Sequence, residues 1–377
     1  MNTPPRVVVA MSGGVDSSVA AALLQEQGYE VIGMMMRLWS ESGRQDDNRC
    51  CTPDAMAQAR RVAALLNIPF YAVDAQQVFF ETVVHSFKDG YAQGITPNPC
   101  LTCNRSIRWD FLLRRALALG ADYMATGHYA RLRRGRLRRD RLRMDRLHRD
   151  STHPDGSAIQ ILRATDSGKD QSYVLHVLGQ EQLNHALFPL GEYTKPQVRE
   201  LARKFGLPVA ERPESQDLCF LGQEDYRTFL QRNVPGIQQP GPILNSQGEM
   251  IGEHQGLAFF TIGQRKGLGL TSQRPTYVLA KDLKRNALVV GGADELGQSE
   301  LVAWPAHWVS GQAPAEDENR AQVKIRYTAP LAWGWVRLLP EGRIRVRFDE
   351  PQRDITPGQA AVIYVGEVCL GGGIIQS

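Results

Sequence analysis

Seven residues, Ser12-Gly13-Gly14-Val15-Asp16-Ser17-Ser18, constrain this chain more than any other stretch. They follow an apolar run at 6–11 that reads as a buried parallel strand, and they precede an amphipathic run at 19–27 that Gly28 can close as a helix. The expected unit is a strand, a tight glycine turn and a helix N-terminus. Two glycines without Cβ let the backbone approach an anion closely, and the unpaired N–H groups and positive end of the helix dipole favour phosphate oxygens. The pattern G-x-x-x-x-G-K-[ST] is absent here, which excludes a loop that places a lysine on the terminal phosphates of a nucleotide. The rival for adjacent glycines is a turn that only lets a helix pack on a strand.

The first 130 residues alternate short apolar strands with longer helical segments. Strands are expected at 6–11, 30–36, 68–74 and 122–127, and helices at 16–27, 53–66, 76–93 and 106–119. Thr52-Pro53-Asp54 is a helix start, with a capping hydroxyl, a proline at the first helical position and an early carboxylate. Right-handed crossovers then give an α/β, doubly wound parallel sheet whose ligands bind beyond the carboxyl ends of its strands. That rule gathers residues 12–17, 36–39 and Gly127-His128 at one edge.

Thr96-Pro97-Asn98-Pro99-Cys100-Leu101-Thr102-Cys103-Asn104-Arg105 reads as an extended, proline-held loop that enters a helix near Asn104, which puts Cys103 close to a helix N-terminus. Its C-x-x-C fits a redox pair, half a zinc site, a cluster ligand pair or two unreactive loop cysteines. Residues 131–150 repeat a five-residue arginine-rich unit that matches neither the helix nor the strand period. They read as an exposed, disordered expansion of a hairpin returning at 158–163, either attracting a phosphate backbone or merely solvated. Thr194 caps a helix at 194–205, and Cys219 lies between a polar loop and an apolar stretch, where a lone cysteine is most often a small core residue.

After residue 223 the composition shifts to glycine, proline and β-branched residues. A helix at 224–233 leads to a basic loop, Gly263-Gln264-Arg265-Lys266-Gly267-Leu268-Gly269, which is either a phosphate contact or a glycine-rich hairpin. Strands at 321–327, 335–339, 343–348, 360–365 and 367–369 suggest a small barrel. The expected domains are 1–222, with an arginine-rich insert at 131–157, then 223–291 and 292–377. Of the 377 residues, 42% are hydrophobic and 22% charged, as in an ordinary globular protein. A formal charge of +4 is too small to establish a nucleic-acid partner. Without an apolar span or a secretory leader the chain is expected to be cytoplasmic, with its six cysteines as thiols unless catalytic or metal-bound.

The S-G-G-x-D-S-S string resembles the PP-loop of the ATP pyrophosphatase superfamily, whose fold is adenine nucleotide alpha hydrolase-like. With it, in order, stand T-P-N-P-x-x-x-C-N, A-T-G-H-Y-A-R at 125–131, K-D-Q-S-Y at 169–173, C-F-L-G around Cys219, G-E-H-Q-G-L at 252–257, G-Q-R-K-G-L-G, and G-E-V-C-L-G-G-G-I-I near the C-terminus. Together they resemble the tRNA-specific 2-thiouridylase family along nearly the whole chain. The resemblance implies a PP-loop domain, a small central domain and a C-terminal β-barrel. The implied reaction replaces oxygen by sulfur at C2 of the wobble uridine, position 34, in tRNAs of the Lys, Glu and Gln type, with ATP, Mg²⁺ and a persulfide.

By the same resemblance ATP falls to Ala10, Met11, Ser12, Gly13, Gly14, Val15, Asp16 and Ser17, with Met36 and Gly127 at the adenosine. Cys219 carries the persulfide and Cys103 is the nucleophile that releases sulfur. Asn98, Pro99 and Cys100 meet the target base, and Lys169, Asp170, Gln171, Arg326 and Tyr327 meet tRNA. A cysteine desulfurase or a sulfur relay protein would supply the sulfur; no resident metal and no membrane are implied. Many members of the family carry aspartate where this chain has Cys100. The departure removes a fixed proton-transfer group and opens a second route, a [4Fe–4S] cluster on Cys100, Cys103 and Cys219. Two rivals stand beside it: a PP-loop amidotransferase-type synthetase, and a non-catalytic RNA-binding module with zinc on Cys50, Cys51, Cys100 and Cys103.

Overall fold

The computed structural model describes residues 3–376 except 42, 44–51, 135–157, 214–217, 223, 272–273 and 317. Its first strand, β1 (Arg6–Ala10), buries Val7, Val8 and Val9 completely, because a central parallel strand is covered on both faces. Helix α1 (Val15–Glu26) follows the glycine turn and ends at Gly28, whose φ of 87° lets the chain reverse. Then come β2 (Glu30–Arg37), α2 (Pro53–Leu65), β3 (Phe70–Asp74), a helix α3 over 76–92 and a helix α4 over 99–118. Thr52 caps α2 as expected, its Oγ1 accepting from Ala55 N at 3.0 Å. Both α3 and α4 contain wider π-helical turns, at Phe80–Val84 and Cys103–Leu112. The strands β4 (Tyr123–Thr126) and β7 (Ala186–Leu187) complete a parallel sheet of order β3-β2-β1-β4-β7. Order reverses between β1 and β4, so the ligand crevice opens there. One face packs Val8, Ile32, Met34 and Met124 on Trp109, Leu112 and Ala116 of α4. The opposite face packs Val7, Val9, Val31 and Met35 on α1, α2 and the helix Lys195–Lys204.

Two sequence expectations are corrected. The helix placed at 106–119 begins at Pro99, because Asn98 caps it and Pro99 suits its first position. Cys103 therefore lies in the second turn, and Cys100 is the cysteine next to the N-terminus. Second, the strand expected at 367–369 runs as β18 (Val368–Ile374) through three glycines. A Cβ at Gly371 would stand 2.1 Å from His307 O, and one at Gly372 2.2 Å from Ala361 O, so close strand approach selects glycine where propensity argues against a strand. The hairpin expected at 131, returning at 158–163, forms as β5 (Arg131–Arg133) and β6 (Gln160–Leu162), and β6 also pairs with β18. Most of the arginine repeat, residues 135–150, lies outside the described residues.

The central region holds a helix, Tyr226–Asn233, and a four-stranded sheet of β8 (Gly241–Leu244), β9 (Met250–His254), β10 (Tyr277–Asp282) and β11 (Ala287–Gly291). The third sheet runs β12-β16-β15-β14-β17-β18-β6-β5. Its members are β12 (Gln298–Ala303), β14 (Glu318–Lys324), β15 (Ala332–Leu339), β16 (Arg343–Gln352), β17 (Ala360–Val365) and β18, with a short β13 (His307–Trp308) paired to β18. Its inner face buries Leu301, Val323, Val336, Ile344 and Val346. The barrel and the catalytic domain thus share one continuous sheet. No helix among the described residues is long and apolar enough to cross a membrane.

His128 and His176 are buried, and burial pushes their pKa values down to about 3 and about 4. Unfolded, both titrate near about 6.5. Between these values the unfolded state binds more protons than the folded one, so stability falls as pH falls. At pH 5 each histidine is expected to cost about 2 kcal/mol relative to neutral pH. Urea unfolding at pH 7.5 and 5.0 measures this, and equal stabilities at the two values would contradict it.

Candidate active site

The turn after β1 is held from three sides. Gly13 has φ 71°, and a Cβ there would lie 2.2 Å from Ala55 O in the first turn of α2. Gly127, after β4, meets the start of α1: its Cβ would lie 2.8 Å from Ser17 N. Ser17 Oγ accepts from Ser12 N at 3.1 Å and Ser18 Oγ donates to Gly14 O at 2.8 Å, which closes the turn from within. The glycines are thus selected by close backbone approach, and the N-terminal turn of α1 faces the crevice. Met36, near the end of β2, lies at the same carboxyl edge, two residues beyond the Met34 that pairs with Ala10.

Sequence reasoning missed the groups that lock this turn to the rest of the domain. Lys195, only 7% exposed, places Nζ 2.7 and 2.8 Å from the two carboxylate oxygens of Asp16. Tyr129 OH donates to the same carboxylate at 2.8 Å. Arg212 donates to Gly13 O at 3.2 Å and pairs with Asp54 at 2.8 Å, which ties the turn to α2. Lys195 stands at the first position of a capped helix, where a lysine ordinarily faces water, so nothing in its local pattern marked it. Tyr129 is the tyrosine of the A-T-G-H-Y string at 125–129, and that string is its signal in the sequence.

The two cysteines assigned to sulfur chemistry belong, with Met36, to one apolar cluster. Cys103 is buried in an apolar cluster with Ile107, Phe87, Phe220 and Phe229, and Cys219 and Met36 pack against that cluster from its edge. Phe220, next to Cys219, is gripped edge-on by Phe79, Phe87 and Phe229 at 6.0, 5.2 and 5.8 Å. Arg232 joins Glu224 at 2.8 Å and also Glu41, which anchors the far end of that loop beside β2. Cys100 is exposed. Asn98 accepts from Cys100 N at 3.2 Å, and the segment before it is clasped by the barrel: Thr96 N donates to Pro357 O at 2.9 Å and Gln359 Nε2 to Thr96 O at 2.9 Å.

The positions matched to tRNA contacts differ in exposure. Asp170 is 4% exposed and committed inward, its carboxylate accepting from Ala164 N, Ser172 N and Ser172 Oγ at 3.1, 3.2 and 3.0 Å. Gln171 exchanges two hydrogen bonds with the backbone of Tyr129, at 2.8 and 2.9 Å, which braces the strand end beside the nucleotide turn. Arg326 is half-buried, donates to Ile262 O at 2.8 Å and to Thr356 Oγ1, and borders an open cleft of about 420 Å³ with Arg227 and Lys266. Tyr327 is exposed, with its ring edge-on to Tyr173 at 6.2 Å. Among the described residues no three His, Cys, Asp or Glu side chains converge on a metal position. Cys50 and Cys51, invoked for zinc, lie outside the described residues.

A phosphate-holding turn at the switch point of a five-stranded parallel sheet, joined to two β-rich domains, defines a PP-loop nucleotide-binding protein of α/β class. Family models match in the same order: a tRNA methyl transferase HUP domain over residues 5–223, a tRNA methyl transferase PRC-barrel domain over 227–292 and an aminomethyltransferase β-barrel domain over 298–375. The chain is 46% identical to the tRNA-specific 2-thiouridylase MnmA of Moorella thermoacetica over 98% of this chain and 99% of that protein. It is 47% identical to the MnmA of Chloroflexus aggregans over 98% of each chain. A much weaker likeness, with TM-score 0.34 and 20% identity over 62% of this chain and 67% of the other, is to the U34-tRNA thiolase NcsA of Methanococcus maripaludis with its [4Fe-4S] cluster. The chain belongs to the tRNA-specific 2-thiouridylase family.

Two substitutions test this geometry. Gly13→Ala strains the backbone and meets Ala55 O, and is expected to weaken ATP binding about tenfold or more, as measured by calorimetric titration. Lys195→Ala strands the Asp16 carboxylate, which keeps some contact with water, and is expected to cost about 2–3 kcal/mol in urea unfolding. Unchanged unfolding would show that the ion pair contributes nothing net.

Proposed function

We propose that this chain exchanges oxygen for sulfur at C2 of the wobble uridine of tRNA, at the crevice between the glycine turn and the cluster around Cys103. As a member of its family it is a tRNA-uridine 2-sulfurtransferase that uses ATP. One observation carries the assignment of the site: Cys103, Cys219 and Met36 share one apolar cluster at the carboxyl edge of the sheet that bears the nucleotide turn.

The uridine C2 carbonyl is a poor electrophile because oxide is a poor leaving group. Its oxygen therefore first attacks the α-phosphorus of ATP and expels pyrophosphate. The N–H groups of residues 13–17 and the dipole of α1 stabilise the departing charge, and Mg²⁺ enters with the nucleotide as part of the substrate. Met36 and Gly127 border the adenosine. The terminal sulfur of a Cys219 persulfide then attacks C2, and AMP leaves with the original oxygen. Cys103 thiolate next attacks the Cys219 sulfur, which forms a Cys103–Cys219 disulfide and leaves the second sulfur on C2. A dithiol reductant resets the pair, and a persulfide-bearing donor protein reloads Cys219.

Asn98, Pro99 and Cys100 form the helix start that faces the everted base, which must leave its stack to react. Lys169, Gln171, Arg326 and Tyr327 contact tRNA, while Asp170 supports its loop from inside. The working domains are 1–222, 223–291 and 292–377.

Incubation of the protein with ATP, Mg²⁺, a sulfur source and wobble-uridine tRNA is expected to add about 16 Da to that nucleoside, the difference between sulfur and oxygen. Cys103→Ser and Cys219→Ser are each expected to lower turnover about 10³-fold or more, while Cys100→Ser retains it. Loss of turnover and of bound iron together in Cys100→Ser would establish the cluster route instead. ATP turnover retained in all three variants, without the mass gain of sulfur exchange, would favour an amine-transferring synthetase.

A further inference from the structure

The barrel presents a face that the sulfur chemistry does not use. On β15, alternate residues Gly334 and Val336 point to the core, so Trp333, Trp335 and Arg337 point outward. Trp333 is 47% and Trp335 36% exposed, two large rings turned to water on one strand. The flanking strands continue the pattern. Arg320 of β14 and Arg347 of β16 lie directly across from Trp335, and Arg345 lies across from Arg337.

The rings are held in place. The Arg320 guanidinium lies over both of them, 5.3 and 5.7 Å from their centres, and is itself pinned to Asp349 at 2.6 Å. None of Arg337, Arg345 and Arg347 is ion-paired with a described residue, although Glu318 and Glu300 are their cross-strand neighbours. Large exposed rings side by side in one patch mark an interaction surface, and like charges placed opposite each other, as Arg337 and Arg345 are, destabilise a sheet. The arrangement gains its value from a polyanion that brings its own planar rings.

We propose that this outer face of β14, β15 and β16 binds unpaired nucleotides of the tRNA substrate, with bases stacking on Trp333 and Trp335 and phosphates meeting Arg337, Arg345 and Arg347. Sheet surfaces that carry aromatic rings among cations take single-stranded RNA this way, because every base has a π-face and every linkage a charge. A protein partner is disfavoured by the lack of outward aliphatic side chains in this patch to form a dry interface core. The barrel is joined to the catalytic domain through β18 and β6, so RNA seated here lies at a set distance from the nucleotide turn. The inference rests on tRNA being the substrate and adds a contact separate from Arg326 and Tyr327.

The test uses the full chain, a labelled wobble-uridine tRNA transcript and equilibrium binding across a range of KCl concentrations. Trp333→Ala with Trp335→Ala is expected to raise Kd about tenfold or more and to raise KM while leaving kcat at saturating tRNA unchanged. Trp333→Phe with Trp335→Phe keeps the stacking surface and is expected to restore most of the affinity. Arg345→Gln with Arg347→Gln is expected to weaken binding and to flatten the salt dependence by about one to two units of log–log slope. Affinities within twofold of the parent in both the alanine and the glutamine variants would overturn the proposal. So would an alanine defect that phenylalanine does not relieve, because that pattern marks lost packing instead of lost stacking. A parent chain that neither binds nor thiolates tRNA would sink the underlying substrate reading; an active parent with indifferent variants sinks only this face.

Discussion

The pair between buried Lys195 and half-buried Asp16 is the interaction on which the rest of the site depends. It joins the second residue of α1 to the first residue of a helix nearly 180 positions later, and Tyr129 completes it from the end of β4. Three separate stretches are thereby fixed around one carboxylate, and the N-terminal turn of α1 is left facing the crevice. A buried charge without this partner would be expensive, so the loop, the strand end and the later helix adopt their places together.

The second organising constraint is that the β-barrel is no appendage. Through β5 and β6 its sheet takes two strands from the N-terminal domain, and through Pro357 and Gln359 it clasps the Thr96 segment that precedes Asn98 and Pro99. The segment proposed to meet the base is therefore positioned by the most distant part of the sequence. The aromatic cluster around Phe220 has the same character: rings from α3, from the loop carrying Cys219 and from the central helix pack together, and Cys103 and Cys219 both belong to the cluster they form.

The parallel sheet, its strand–turn–helix opening and most helix limits were legible because local rules act there. Uninterrupted valines report a strand covered on both faces, Gly28 reports a helix end, and Thr52-Pro53 reports a helix start. The same rule acts at Asn98-Pro99, but two prolines in three residues also fit an extended loop, and only the structure shows that the helix starts there and that Cys103 lies in its second turn. The glycines of β18 argue against a strand in isolation. Only the approach of β13 and β17 shows why no other residue fits.

The order of residues alone determined the phosphate-holding turn, the cysteines available for sulfur chemistry and the alternation of strands with helices, since each follows from properties of neighbours a few positions apart. Tertiary structure decided which distant groups meet. Lys195 is an unremarked helix residue until folding buries it on Asp16, Asp170 seems a surface acid until three donors enclose it, and the hairpin at 131 belongs to the barrel only through β18. Such pairings are set by burial and by the requirement that buried charges and backbone groups find partners, and those partners are chosen in space.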